Sequence, residues 1–226
     1  MGVLTRLAAL FAAGLALSVG SSRAKLGALT RTNQHGLTQL EMTPNATANW
    51  FGMLPNADDG TRFTFVEHVR AGTPGFQSKY PGSPVEHVHL DQEETFTVLE
   101  GTFGCVLNGK EIPLKEKGES VVVPAGARHF FYNAGDLESP GRDLEVEISL
   151  RPPKSAKLMF MNLAGLSKDY GGPSAIPILQ ILLLLDAGGN TLALPRPMLW
   201  ALKHATLPLA RLHGYKPFYD AYDTGL

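Results

Sequence analysis

Two histidines stand two residues apart in the stretch Glu86-His87-Val88-His89-Leu90-Asp91-Gln92-Glu93-Glu94. On a β-strand that spacing turns both imidazoles to one face. A carboxylate, Glu94, follows five residues after His89, beyond a polar break where the chain can turn. A third histidine, His129, opens a second apolar segment just after the turn Pro124-Ala125-Gly126. Three imidazoles and one carboxylate brought together from two strands make a borderline nitrogen and oxygen donor set. Such a set suits Fe, Mn, Ni, Cu or Zn far better than Mg or Ca. A His-x-His pair also arises by chance on exposed strands, so the assignment depends on the further ligands and their geometry.

Short strands and tight turns must position these groups. Gly101 ends the run Thr95–Glu100 and permits a reversal into Thr102–Leu107. Gly118 closes the charged turn Lys115-Glu116-Lys117, and Val121-Val122-Val123 is a short β-branched strand. Pro124 and Gly126 then bend the chain so that His129 begins the next strand. The pattern predicts strands at 62–69, 85–90, 94–100, 102–108, 110–114, 120–123, 128–134 and 143–150. Spacing of this kind predicts a mainly β fold, an antiparallel double-sheet jelly-roll barrel. Parity names the wall: Phe96 and Val98 share a face with Glu94, and Phe131 shares one with His129, with Asn133 near that strand's end. Phe63 and Phe65 share a face that Glu67 extends, while His68 falls on the other and reads as an exposed histidine. Glu145 and Glu147 alternate with apolar residues and are expected toward solvent. Gln92, Glu93 and Arg128 are candidates for outer partners of the ligands, and equally for rim residues.

The spacing of these residues resembles the two motifs of the cupin superfamily. His87, His89, Glu94 and Gly101 match the first motif, except that Gly82 precedes His87 by one residue fewer than the pattern has. Gly118, Pro124, Gly126, His129 and Asn133 match the second in full. The resemblance covers about residues 60–150. It implies a cupin-type barrel that holds one divalent transition metal on His87, His89, Glu94 and His129, with Fe expected first and Mn, Ni, Cu or Zn as alternatives. In cupin dioxygenases the glutamate also shifts its coordination and takes up a proton, so the resemblance gives Glu94 a catalytic role. It places the loop Ala71–Pro84, with Phe76, Lys79 and Tyr80, near the barrel mouth.

Around residues 61–151 the chain divides into a targeting segment 1–25, an N-terminal extension 26–60 and a helical C-terminal extension 152–226. Arg6 before the apolar run Leu7–Gly20, then Ser21-Ser22-Arg23-Ala24, follows the grammar of a secretory signal. An organelle transit peptide or an uncleaved signal anchor are the rivals. Loss of Arg6 and Arg23 would take the net charge from −1 to −3. Asn45-Ala46-Thr47 is a glycosylation sequon. Asn49–Leu54 offers an aromatic patch to the barrel, and Asn56–Gly60 reads as a turn. After Arg151-Pro152-Pro153 the period becomes helical, with helices expected at Ser155–Leu166, Pro173–Asp186 and Pro197–His213. The apolar run Ile176–Leu185 is too short to span a bilayer, so it is expected against the barrel or in a homodimer interface. His204 and His213 fall on these helices without a catalytic role. This tail resembles extensions of small bacterial and fungal cupins, some from natural-product biosynthesis.

A net charge of −1 offers no basic surface for nucleic acid. The single Cys105 excludes an intrachain disulfide and is expected in the core. The apolar and aromatic walls predict a small organic substrate. Three functions remain: a dioxygenase-like oxidoreductase acting on an aromatic or enolisable molecule, a redox-neutral isomerase or decarboxylase, and a metal- or ligand-binding module.

Overall fold

Alternation in Phe63–Val69 buries Phe63, Phe65 and Val69 on one face of a strand, and the same period recurs through Leu144–Arg151. The computed structural model describes residues 31–42 and 49–225. The expected leader and the sequon at Asn45 lie outside them. In chain order the strands are β1 (Gln39–Glu41), β2 (Trp50–Asp58), β3 (Phe63–Val69), β4 (His87–His89), β5 (Glu93–Glu100), β6 (Phe103–Leu107), β7 (Lys110–Glu111), β8 (Ser120–Val123), β9 (Arg128–Asn133), β10 (Leu144–Arg151) and β11 (Asn190–Leu192). The helices are α1 (Ala134–Glu138), α2 (Ala156–Tyr170), α3 (Ile178–Ala187) and α4 (Arg196–Leu212).

Two antiparallel sheets form the jelly roll. One has the order β1-β2-β3-β10-β5-β8, the other β11-β4-β9-β6-β7. Their inner faces share one apolar core containing Phe63, Phe65, Phe96, Phe103, Phe131, Ile148 and Leu150. Register sets the inner rows of the first sheet. Phe63, Leu150, Glu94 and Val123 align across β3, β10, β5 and β8. The next row is Phe65, Ile148, Phe96 and Val121. The third is Phe51, Glu67, Val146 and Val98 across β2, β3, β10 and β5. Gly101 turns β5 toward β6 at φ +82°, and a Cβ there would come within 2.4 Å of the Asp143 carbonyl oxygen. Both the backbone conformation and the space demand glycine.

Three expectations change. The weakly periodic segment before residue 60 supplies β1 and β2, and β2 runs through the Asn56–Asp58 stretch read as a turn. Its register against β3 breaks between Met53 and Asp58, so a bulge accommodates a sequence without clean alternation. The helix expected from Pro173 starts only at Ile178, because Pro177 has no N–H and holds Ile176 extended at ψ 128°. The C-terminal extension is not wholly helical. It returns three residues, β11, to the edge of the second sheet, antiparallel to β4.

The apolar run of the extension is consumed in packing. Leu184 joins the main core, while Leu179 and Leu183 pack with Ala210 and Tyr215. On α2, Phe160 meets the rings of Phe51, Phe63 and Phe65 at centroid distances of 5.5, 6.3 and 4.4 Å. No helix among the described residues is long and apolar enough to cross a membrane.

Candidate metal centre

Strand β4 carries His87 and His89 on one face, as the two-residue spacing requires. It pairs with β9 so that His87 lies opposite His129. Glu94, at the start of β5, reaches the same point from the other sheet. One ligand atom from each of His87, His89, Glu94 and His129 falls within a span of 4.8 Å. His129 Nε2 is 2.7 Å from Glu94 Oε2, and His89 Nε2 is 3.2 Å from the same oxygen. His87 Nε2 lies 3.2 Å from His89 Nε2. The sequence named all four, and the fold brings all four together.

The ring orientations fit a metal. His87 Nδ1 is 2.9 Å from the Val85 carbonyl oxygen, and His129 Nδ1 is 3.1 Å from that of Ala127. Each contact sets Nδ1 against an acceptor and turns Nε2 toward the centre. Burial lowers His87 to a pKa of about 3, and the neighbouring His129 and His89 push it the same way, so it is a neutral donor. Burial alone would raise Glu94, but the His89 and His129 imidazoles more than reverse this and keep it well below the usual carboxylate range. His129 shows the converse balance. Burial depresses it, and the hydrogen bond and charge of Glu94 outweigh burial to raise it. The cluster sets three imidazoles around one carboxylate that they hold ionised, a donor set that accommodates a borderline dication.

The surroundings sort the other sequence candidates. Phe96 packs against Phe103, Phe131 and His129, with centroid distances of 5.0, 5.4 and 6.3 Å. Cys105 is fully buried and burial pushes its thiol up to about 12, which makes it core filling. Asn133 does not reach the centre: its Oδ1 caps α1 by accepting from Asp136 N, and its Nδ2 donates to the Arg142 carbonyl oxygen. Of the three suggested outer partners, only Gln92 is buried, at 1% exposure. Glu93 is exposed, and Arg128 pairs at the surface with Glu86. Loop 71–84 is pinned beside the second sheet, where Tyr80 donates to Glu111 Oε1 at 2.5 Å and its ring packs at a tilt against Phe130 and Tyr132. His68 stacks on Trp50 on the outer face, and His204 and His213 sit on or just after α4.

One inward group was only loosely marked by the sequence. Glu67 stands in the inner row between Phe51 and Val146, both buried, and meets no hydrogen-bonding or ion-pairing partner among the described residues. Burial, reinforced by the charge of Glu94, raises its carboxyl to about 8. At neutral pH it is an acid that can donate a hydrogen bond inside the barrel. Strand parity was the signal that could find it.

Residues 76–139 match the family model described as a cupin domain. The chain is 30% identical over 177 residues to a protein named probable oxidoreductase virH from Hypocrea virens, covering 73% of this chain and 78% of that one. The chain belongs to the cupin superfamily. It is also 26% identical over 197 residues to Oxidoreductase OpS7 of Beauveria bassiana, covering 73% of this chain and 65% of that one. Among solved structures, KdgF from Halomonas sp. aligns with 49% of this cupin and 84% of its own chain, at 14% identity and a TM-score of 0.38.

Proposed function

We propose that this cupin is a metal-dependent, dioxygenase-like oxidoreductase acting on a small aromatic or enolisable molecule in natural-product biosynthesis. The observation that carries the reading is the convergence of His87, His89, Glu94 and His129 within 4.8 Å inside an apolar barrel. The relatives named as oxidoreductases support it. These four residues would hold one divalent metal, with iron first. When bound, such a metal supplies redox chemistry with dioxygen or a Lewis-acid pole for a substrate oxygen.

The chain's own residues supply the rest. Val85 and Ala127 fix the His87 and His129 rings, so the donor atoms are pre-organised. Glu94 Oε2 carries both imidazole contacts, and Oε1 is the oxygen that can turn to a substrate proton. Phe96 and Phe131 exclude water from one side of the centre. Glu67 offers a neutral acid from the inner face.

Metal analysis of the full chain beside a His87→Ala/His129→Ala variant is the test, followed by oxygen uptake with Fe²⁺, Mn²⁺, Ni²⁺ or Cu²⁺. Near one equivalent of metal lost in the variant, and oxygen consumed only with metal and an aromatic or enolic compound, is expected. Turnover without oxygen would replace the proposal with redox-neutral isomerisation or decarboxylation. Neither metal nor turnover, with a melting temperature that rises on adding an organic ligand, would make the protein a binding module.

A further inference from the structure

Three buried side-chain atoms near the metal strand have no hydrogen-bond partner among the described residues: His89 Nδ1, Gln92 Oε1 and Asn190 Oδ1. Buried polar atoms are almost always satisfied, so three orphans in one neighbourhood call for an explanation. The first is a donor when His89 offers Nε2 to a metal, and the other two are acceptors. Among the three histidines, His89 is the exception: His87 and His129 hand their Nδ1 protons to main-chain carbonyls, and His89 does not.

Strand register brings a polar side chain beside His89. Asn190 on β11 lies directly opposite His89 on β4. Opposed residues of an antiparallel pair share a face, with Cβ atoms about 4.5–5.5 Å apart. Asn190 is 3% exposed and His89 is 2% exposed, so both side chains are enclosed on that face. Asn190 Nδ2 is held by Met159 Sδ of α2 at 2.9 Å, which fixes the amide and reserves Oδ1. Gln92 is anchored similarly, its Nε2 donating to the Pro152 and Pro153 carbonyl oxygens at 2.7 and 3.1 Å. Its Oε1 faces the turn before β11, since a Cβ on Gly189 would lie 3.7 Å from it.

We propose that Asn190 is a positioning residue for the metal centre: its Oδ1, directly or through one buried water shared with Gln92 Oε1, accepts the Nδ1 proton of His89. The C-terminal extension thereby completes the ligand shell that the barrel leaves unfinished. The idea rests on the metal reading above. Outer partners of this kind typically change metal affinity by about 10–100-fold.

The test is Co²⁺ titration of the full chain, of Asn190→Leu, which keeps the shape and removes the acceptor, and of Asn190→Asp, which keeps it. Metal-free melting temperatures and the Co²⁺ absorption spectrum are recorded beside it. The proposal expects Asn190→Leu to bind Co²⁺ about 10–100-fold more weakly with an altered spectrum, and Asn190→Asp to bind as tightly as the parent or tighter. Equal affinity and spectrum in parent and Asn190→Leu overturn the proposal and leave the metal centre standing. Equal loss in both variants, tracking a lower melting temperature, also overturns it, because the residue would then serve only packing. No Co²⁺ uptake by the parent overturns the metal centre, and the proposal with it.

Discussion

Glu94 and Glu67 project from the inner face of the same sheet, separated by β10 and by one side-chain row, yet they end in opposite electrostatic states. Glu94 meets two imidazoles at 2.7 and 3.2 Å and stays ionised despite burial. Glu67 meets none, and burial lifts it to about 8. Desolvation acts on both in the same direction. What separates them is their neighbours: β4 and β9 of the opposite sheet bring histidines over the Glu94 row, while β2 of the same sheet brings Phe51 beside Glu67. Residue type alone therefore says little about an inward-facing acid here. The partner supplied by the neighbouring element decides whether it is an anion that binds metal or a neutral acid that donates a hydrogen bond.

The sharpest way to break this contrast is to neutralise each acid in turn. Glu94→Gln removes the anion from the donor set and should weaken Co²⁺ or Ni²⁺ binding by more than the roughly 100-fold that marks the upper range for outer partners. Glu67→Gln should leave the same titration within a few-fold of the parent. Similar losses from both would mean that Glu67 belongs to the centre and that the two acids act as one site.

The ligands were legible because both motifs state them locally. His87 and His89 need only period two, and the Pro124–Gly126 turn delivers His129 to the neighbouring strand. The inner aromatic wall followed from the same alternation. Two features were hidden for physical reasons. Strand β2 has no clean alternation because its register breaks, and β11 is three residues long, too short to express a period between two helices. Asn190 matters only through pairing with a strand about a hundred residues earlier, which no local pattern reports.

A second prediction sharpens the contrast through pH. The folded Glu67 carboxyl titrates near 8 against 4.5 for the free group. Between those values the folded chain keeps a proton that the unfolded chain has released. Stability is therefore lost as pH rises through that window, at up to about 1.4 kcal/mol per pH unit. Glu67→Gln removes this penalty. In EDTA, the variant should melt above the parent near about pH 8 and converge with it near about pH 4.5, where both side chains are neutral. A parent and variant whose difference does not change with pH would show that the Glu67 carboxyl reaches water in the native state.

The smallest effect is expected where the same chemical groups meet at the surface. His68 lies 3.2 Å from Glu145 Oε1 and 3.3 Å from Asp143 Oδ2, and stacks on Trp50 at 5.2 Å. In composition it is an imidazole with two carboxylates, richer in charge than the Glu94 site. The carboxylates, however, are 36% and 44% exposed, so water screens them and no dry donor set forms. His68→Gln should therefore cost no more than about 1 kcal/mol of stability in a denaturant titration. Bound metal per chain should not change, because burial and convergence, rather than the count of histidines and acids, set the centre apart. A fall in metal content in this variant would reveal a second site on the outer face and would remove the basis for treating the barrel interior as the one place where these groups bind metal.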